Sequence, residues 1–379
     1  MSKAKLRIGV LFGGRSGEHE VSLMSARSIL DAMDLEKYVI TQIGITHEGS
    51  WFTGENVLEA IRTGQTKALE PALIFPEPTS PGLFTTRKTE YGVLLSLLNT
   101  IDVFFPVLHG TFGEDGTIQG LFEMAGVAYV GAGVLGSSLG MDKGVFKDVM
   151  RANGIPVVNS IVVLRSQIMG TSEPAPSTSI EAVLDRAENV APYPLFTKPA
   201  NLGSSVGITK CNNRADLMEG LMDAARYDRR ILIERGVDAR EIEVSVLGND
   251  DPIASVCGEV IPSREFYSYE AKYVDDCSEL IIPAPIDSET ANEIQQIATR
   301  AFKAVDCAGM ARADFLLDKV TGDIFLNEIN TIPGFTRISM YPKLWATSGL
   351  SYPTLVDRLI ELALERKIDR DHTERRYSR

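Results

Sequence analysis

The chain has 379 residues, 44% hydrophobic and 23% charged, the make-up of a globular protein with room for two or three domains. Its 38 basic and 51 acidic side chains leave a net charge of −13, which excludes general affinity for nucleic acid or an anionic membrane. Four scattered cysteines without a CxxC pair, a short apolar start and no run of membrane-span length lead to the expectation of a cytoplasmic enzyme.

Leu6 to Phe12 predicts a strand, Gly13-Gly14 a turn, about Ser22 to Met33 a helix, and Val39 to Ile45 a second strand. This βαβ beginning predicts an α/β domain with an open parallel sheet. A further strand from Ile101 to Leu108 ends at His109-Gly110, so two glycine-bearing loops fall at the carboxyl ends of strands, where such sheets place function. Helices follow at about Ile118 to Ala125 and Lys143 to Asn153, with a short strand at Ala128 to Val130 between them. The GAGVLG match at 131–136 has no acid closing a following strand, since Asp148 lies within a helix, and reads as a chance loop.

The Ser/Pro-rich stretch Met169 to Ser179 predicts a surface loop. Next come a helix near 179–188, a strand at Leu195 to Lys198, a helix at Arg214 to Tyr227 and a strand at Ile231 to Glu234. The chain then turns strand-rich at 241–247, 253–261 and 279–282. A long helix from Ser288 to Val305, two strands, and a closing helix from Tyr352 to Arg366 complete it, with a basic tail from Arg366 to Arg379 expected to be a solvated, frayed end.

The segment from Ala311 to Asn330 predicts a hairpin turning at Lys319 to Asp323. If Asp318 opposes Ile324, Asp314 opposes Glu328, and Asp314, Glu328 and Asn330 share one face with Arg312. Phe315, Leu317, Phe325 and Ile329 then point to the core. Two facing carboxylates repel unless a cation or proton lies between them, and hard oxygen ligands suit Mg²⁺ completed by phosphate oxygens. A phosphate site is offered by FTKPANLGSSVG at 196–207, where a strand delivers Lys198 to a small-residue loop whose backbone N–H groups can approach an anion.

Six motifs stand in one order: GEHEVSL at 17–23, HGTFGEDG at 109–116, MDK at 141–143, Lys198-Pro199 with GSSVG at 203–207, FYSYEAKY at 266–273 and NEINTIPG at 327–334. On these the chain resembles the ATP-grasp superfamily and, within it, the bacterial D-alanine–D-alanine ligases, over nearly its whole length. The resemblance implies an N-terminal α/β substrate domain (1–131), a central ATP-grasp subdomain (132–233) and a C-terminal one (234–379), with a mobile loop at 262–282. It implies ligation of two D-alanine molecules through an acyl phosphate for peptidoglycan synthesis, ATP, two Mg²⁺ ions replaceable by Mn²⁺, and a homodimer.

By matching position, the resemblance puts Lys143, Lys198, Gly203, Ser204, Ser205 and Val206 on ATP phosphates. Glu234, Arg235 and Val237 fall in the adenine hinge, and Glu241 on the ribose. Asp314, Glu328 and Asn330 become the metal ligands. Glu20 is expected to pair with the first D-alanine's ammonium, assisted by His109, with Ser204 and Tyr273 hydrogen-bonded to it. Arg312 and the Gly334 N–H are expected at the oxyanion, and Ser339, Met340 and Lys272 at the second D-alanine.

Overall fold

The computed structural model describes residues 4–169, 180–203, 206–261 and 279–374. The first part contains β1 (Leu6–Gly13), α1 (His19–Ala32), β2 (Tyr38–Ile45), β3 (Trp51–Thr53), α2 (Val57–Thr63), β4 (Glu70–Pro71), β5 (Leu73–Ile74), β6 (Leu83–Thr89), β7 (Gly92–Asn99), β8 (Val103–Val107), α3 (Thr117–Ala125) and β9 (Ala128–Tyr129). A six-stranded sheet runs β4-β3-β2-β1-β8-β9, parallel from β2 to β9 and antiparallel at the β3 and β4 edge. The parallel heart is the predicted one. Along β1 the pleat sends Ile8, Val10 and Phe12 to one core and Leu11 to the other. The strands β5, β6 and β7 form a separate antiparallel sheet that the sequence reading did not anticipate.

Then follow α4 (Val134–Met141), α5 (Lys143–Ala152), β10 (Ser160–Leu164), α6 (Arg165–Met169), α7 (Ile180–Glu188), β11 (Leu195–Pro199), β12 (Thr209–Cys211), α8 (Arg214–Tyr227) and β13 (Arg230–Arg235). The order β10-β13-β11-β12 is antiparallel throughout. Leu195, Ile231 and Ile233 pack beneath α7 and α8, so the alternate residues Phe196, Lys198 and Glu234 face the other way. The 131–136 match proves to be the entry to α4: an added Cβ on Gly136 would sit 2.8 Å from the Asp306 carbonyl oxygen, so this glycine serves close packing.

The last part contains β14 (Ala239–Gly248), β15 (Ile253–Ile261), β16 (Glu279–Ile281), α9 (Ser288–Ala304), β17 (Gly309–Asp318), β18 (Ile324–Asn330), α10 (Met340–Thr347) and α11 (Tyr352–Asp371). The antiparallel order is β16-β15-β14-β17-β18. Ile242, Val244, Val246, Ala311, Ala313, Phe315 and Ile329 bury against α5 and α9, leaving Glu241, Glu243, Arg312, Asp314, Glu328 and Asn330 on the opposite face.

Two expectations need correction. The basic tail does not fray at Arg366, because α11 continues to Asp371. The Arg366 guanidinium lies 4.2 Å over the Tyr129 ring and hydrogen-bonds the Gly131 carbonyl, while Arg370 reaches Glu123 and, at 2.9 Å, the Val127 carbonyl. Phe325 is not core: it is half-buried beneath Arg235, 5.9 Å from ring centroid to guanidinium, and Leu326 takes the core position.

Candidate active site

A cleft of about 1160 Å³ opens between the second and third large sheets and is bordered by the two loops at the carboxyl ends of β1 and β8. That exceeds the usual small-molecule pocket of ~300–1,000 Å³ and gives room for a nucleotide together with smaller substrates.

Its floor is a row of acids. Register places Glu243 opposite Asp314 and Asp314 opposite Glu328, with Ser245, Arg312 and Asn330 in the next row. The Asp314–Glu328 pairing holds although its premise fails, since Leu317, not Asp318, opposes Ile324. A β-bulge between Asp314 and Phe315 absorbs the difference, and the same bulge flips Phe325 and Leu326 relative to an unbroken strand. Arg312 donates to both Asp314 oxygens, at 2.7 and 2.6 Å, and its Nε lies 2.9 Å from Glu243 Oε2. Asn330 Nδ2 donates to Asp314 Oδ2 at 3.0 Å. Glu243 was missed, though Glu241-Ile242-Glu243-Val244 shows the same acid–apolar alternation that revealed Asp314.

One end of the cleft carries the cations. Asp142 caps α5, accepting from Gly144 N and Val145 N at 3.0 Å, and this fixes Lys143 at the helix start. Lys143 Nζ donates to the Leu202 carbonyl at 2.9 Å and lies 3.7 Å from Glu328 Oε2. Buried Glu234 holds Lys198 on one oxygen and, at 3.4 Å, Lys147 on the other. Burial pushes the Glu234 carboxyl up, but the two ammonium groups more than offset it and hold the acid ionised below its usual value. Burial likewise opposes charge on Lys198, and the Glu234 charge and hydrogen bond outweigh it, so this lysine titrates above its usual value. Lys147 has the weaker share of Glu234, and burial leaves it below.

At the other end, Glu18, His109 and Glu114 line the cleft. Ser16 Oγ donates to the His109 carbonyl at 2.7 Å and accepts the Glu18 N–H at 3.2 Å, which sets Glu18 at the loop's inner edge. An added Cβ on Gly110 or Gly203 would sit 2.5 or 3.2 Å from Glu18 Oε2. Glu20 is displaced from the expected position: its side chain is 63% exposed and faces His47, outside the cleft. The helix begins at His19, and two residues advance about 200° around a helix, so Glu18 and Glu20 cannot face the same side.

His109 is buried, with Nδ1 donating to the Ile332 carbonyl at 3.0 Å and Nε2 3.0 Å from Ser25 Oγ. Burial pushes this imidazole below its usual value, so it is neutral. Glu114, a second acid missed from sequence, accepts from Gly110 N at 2.7 Å and Ile332 N at 3.1 Å. Burial and then the Glu18 charge push its carboxyl up to about 8.

Arg235, Val237, Glu241, Gly203, Gly334, Ser339 and Met340 also line the cleft, whereas Val206 does not. Ser339 Oγ accepts from Thr336 N at 3.1 Å. Ser204, Ser205, Lys272 and Tyr273 lie outside the described residues, as do the loop at 169–179 beyond Met169 and most of 262–282.

Family models described as D-ala D-ala ligase N-terminus and D-ala D-ala ligase C-terminus match residues 7–132 and 149–361. A D-alanine–D-alanine ligase of Heliobacterium modesticaldum is 49% identical over 98% of both chains, and one of Thermoanaerobacter sp. 51% identical over 95% of this chain and 97% of that one. Among solved structures, the D-alanine–D-alanine ligase of Coxiella burnetii matches at TM-score 0.79 and 36% identity, covering 97% and 96% of the two chains. A D-Ala:D-Ser ligase from Enterococcus faecalis matches at TM-score 0.82 and 35% identity, covering 95% and 100%. The chain belongs to the D-alanine–D-alanine ligase family, the ATP-dependent enzymes that join two molecules of D-alanine.

Proposed function

We propose that the row Glu243–Asp314–Glu328, with Arg312 set into it, is the phosphoryl-transfer centre of this ligase. The observation that carries the reading is the pairing of Asp314 with Glu328 on a cleft-facing strand pair, with Asn330 one row away. The donor set is all oxygen and suits two Mg²⁺ ions, with Mn²⁺ as a substitute, held by Asp314, Glu328 and Asn330. Bound there, divalent ions would supply charge neutralisation to the transferring phosphate.

Lys143, Lys198 and the loop 203–207, including Ser204, Ser205 and Val206, are assigned to the ATP phosphates. Glu234, Arg235 and Val237 are assigned to the adenine and Glu241 to the ribose. Glu18 replaces Glu20 as the partner of the first D-alanine's ammonium. Neutral His109 and half-buried Glu114 tie the β8 loop to residue 332 and so keep that subsite in place. Ser204 and Tyr273 are assigned to the contact with Glu18, and Ser339, Met340 and Lys272 to the second D-alanine. These assignments go with an N-terminal substrate domain at 1–131 and ATP-grasp halves at 132–233 and 234–379.

A carboxylate resists attack because its leaving group would be oxide. Transfer of the γ-phosphoryl group to the first D-alanine's carboxylate oxygen, with ADP departing, gives an acyl phosphate. The second D-alanine's neutral amine then adds to the carbonyl carbon, forming the C–N bond and a tetrahedral oxyanion. Collapse of this adduct breaks the C–O bond to inorganic phosphate, and the nitrogen gives up one proton to solvent or the departing phosphate. Arg312 and the Gly334 N–H meet the oxyanion that develops between these steps.

The test is D-alanine-dependent phosphate release with and without Mg²⁺, in wild type, Glu18→Gln and Glu20→Gln. Glu18→Gln is expected to raise KM for the first D-alanine by roughly 10- to 10²-fold, the value of a charge-assisted contact of ~1.5–3 kcal/mol, while Glu20→Gln stays near wild type. A larger defect in Glu20→Gln, or release without D-alanine, would overturn the reading. D-serine and D-lactate as acceptors in the same assay define the acceptor class.

No described helix is long and apolar enough to cross a membrane, and we assign the enzyme to the cytoplasm, where ATP and peptidoglycan precursors meet. The homodimer has a surface to form on. The strand β7 is the edge of its sheet, holds neither charge nor proline, and leaves Val93, Leu94, Leu95 and Leu97 41–65% exposed. Light scattering is expected to give twice the chain mass for wild type and the single mass for Leu94→Glu; a monomeric wild type at micromolar concentration refutes the dimer.

A further inference from the structure

The first turn of α1 carries a group that the ligase chemistry leaves unused. His19, Glu20 and His47 bring one ligand atom each within 4.8 Å of one another. His47 stands on the turn between β2 and β3, and its ring stacks on His19 with centroids 3.8 Å apart and planes 23° from parallel. His47 Nε2 lies 3.8 Å from Glu20 Oε1.

His19 is the fixed member. Its ring is buried, and its Nδ1 lies 2.8 Å from the Gly14 carbonyl oxygen. A carbonyl only accepts, so Nδ1 carries the proton and Nε2 keeps its lone pair, the tautomer that metal-binding histidines owe to such a partner. The wall behind the ring is Gly13, at φ +89, where an added Cβ would sit 3.0 Å from His19 Cε1.

We propose that His19, Glu20 and His47 form a binding site for a transition-metal dication of the zinc class, distinct from the Mg²⁺ face. Two imidazoles and one carboxylate suit Zn²⁺, whereas the oxygen-only row at Asp314 suits Mg²⁺. Three protein ligands leave a fourth tetrahedral position to water. Metal bonds of about 2.0–2.2 Å put tetrahedral ligand atoms roughly 3.3 Å apart, so the His47–Glu20 pair closes slightly from 3.8 Å. Both side chains are more than 60% exposed, so binding turns the His47 ring out of its stack on His19, which stays in place. The ion ties the first turn of α1 to the turn after β2, directly beside Glu18.

The experiment uses the full chain, stripped with chelator and free of Mg²⁺ and ATP, titrated with ZnCl₂ by calorimetry and by NMR of the histidine rings. The chain has only four histidines, so each ring is separately readable. One Zn²⁺ per chain, with shifts at His19 and His47 and none at His109 or His372, is expected. Glu20→Gln and His47→Ala each weaken binding by roughly 10-fold or more. Absence of saturable binding, ring shifts confined to His109 or His372, or undiminished affinity in both variants overturns the site. So does affinity lost only in Glu328→Gln, which would assign the zinc to the Mg²⁺ face.

Discussion

Glu328→Gln is expected to stop D-alanine-dependent phosphate release while leaving the fold intact. Glu328 faces Asp314 across the β17–β18 pair and lies 3.7 Å from Lys143 Nζ. An amide of the same shape keeps the packing but gives up the charge that draws a divalent ion. A metal's share of transition-state charge stabilisation is several kcal/mol; a loss of roughly 3–5 kcal/mol lowers kcat by about 10²–10⁴-fold. Stability should move by no more than ~1 kcal/mol, because relief from the facing Asp314 carboxylate opposes the lost attraction to Lys143. Phosphate-release kinetics at saturating Mg²⁺ and calorimetric melting measure the two effects. A kcat near wild type would remove Glu328 from the metal site.

Glu234→Ala is expected to damage the fold itself. The side chains of Glu234 and Lys147 are 3% and 1% exposed, and that of Lys198 13%. Removing the shared acid leaves two buried ammonium groups facing each other, a change that costs about 3–5 kcal/mol when a buried pair is broken. The pH dependence has a definite sign. The folded carboxyl titrates below its ordinary value, so its contribution is complete above the unfolded pKa of about 4.3 and is lost as pH falls through the depressed folded value. Urea midpoints of wild type and variant should therefore be far apart at pH 7 and draw together in acid. Coincident midpoints at pH 7 would show that the ion triad contributes nothing to stability.

Much of the cleft-facing row was legible because a strand's period of two is simple: Arg312, Asp314, Glu328 and Asn330 fall on one side whichever neighbouring register is chosen nearby. The bulge was not legible, since one extra residue in β18 leaves no local mark in an apolar run, and Phe325 was misplaced for that reason. Glu18 and Glu20 flank His19 symmetrically in sequence, and only the helix start separates them; predicting that start at Ser22 removed the angular argument that distinguishes them. Glu114 needed tertiary information, as its partners Gly110 and Ile332 are 222 residues apart in the chain. The β7 edge escaped because Val93 to Leu98 is apolar at nearly every position and shows no alternation.

The closing helix has a consequence for biosynthesis. Leu355, Val356, Leu359, Ile360 and Ala363 share one core with Ile8, Val10, Phe12, Val103 and Phe105. The first sheet is thus translated well before α11, and α1 covers only part of that face, through Leu23, Ala26 and Ile29, until α11 has been made. Over that interval the nascent chain carries a partly open apolar surface, and this core closes only when a segment more than two hundred residues further along the chain packs onto it.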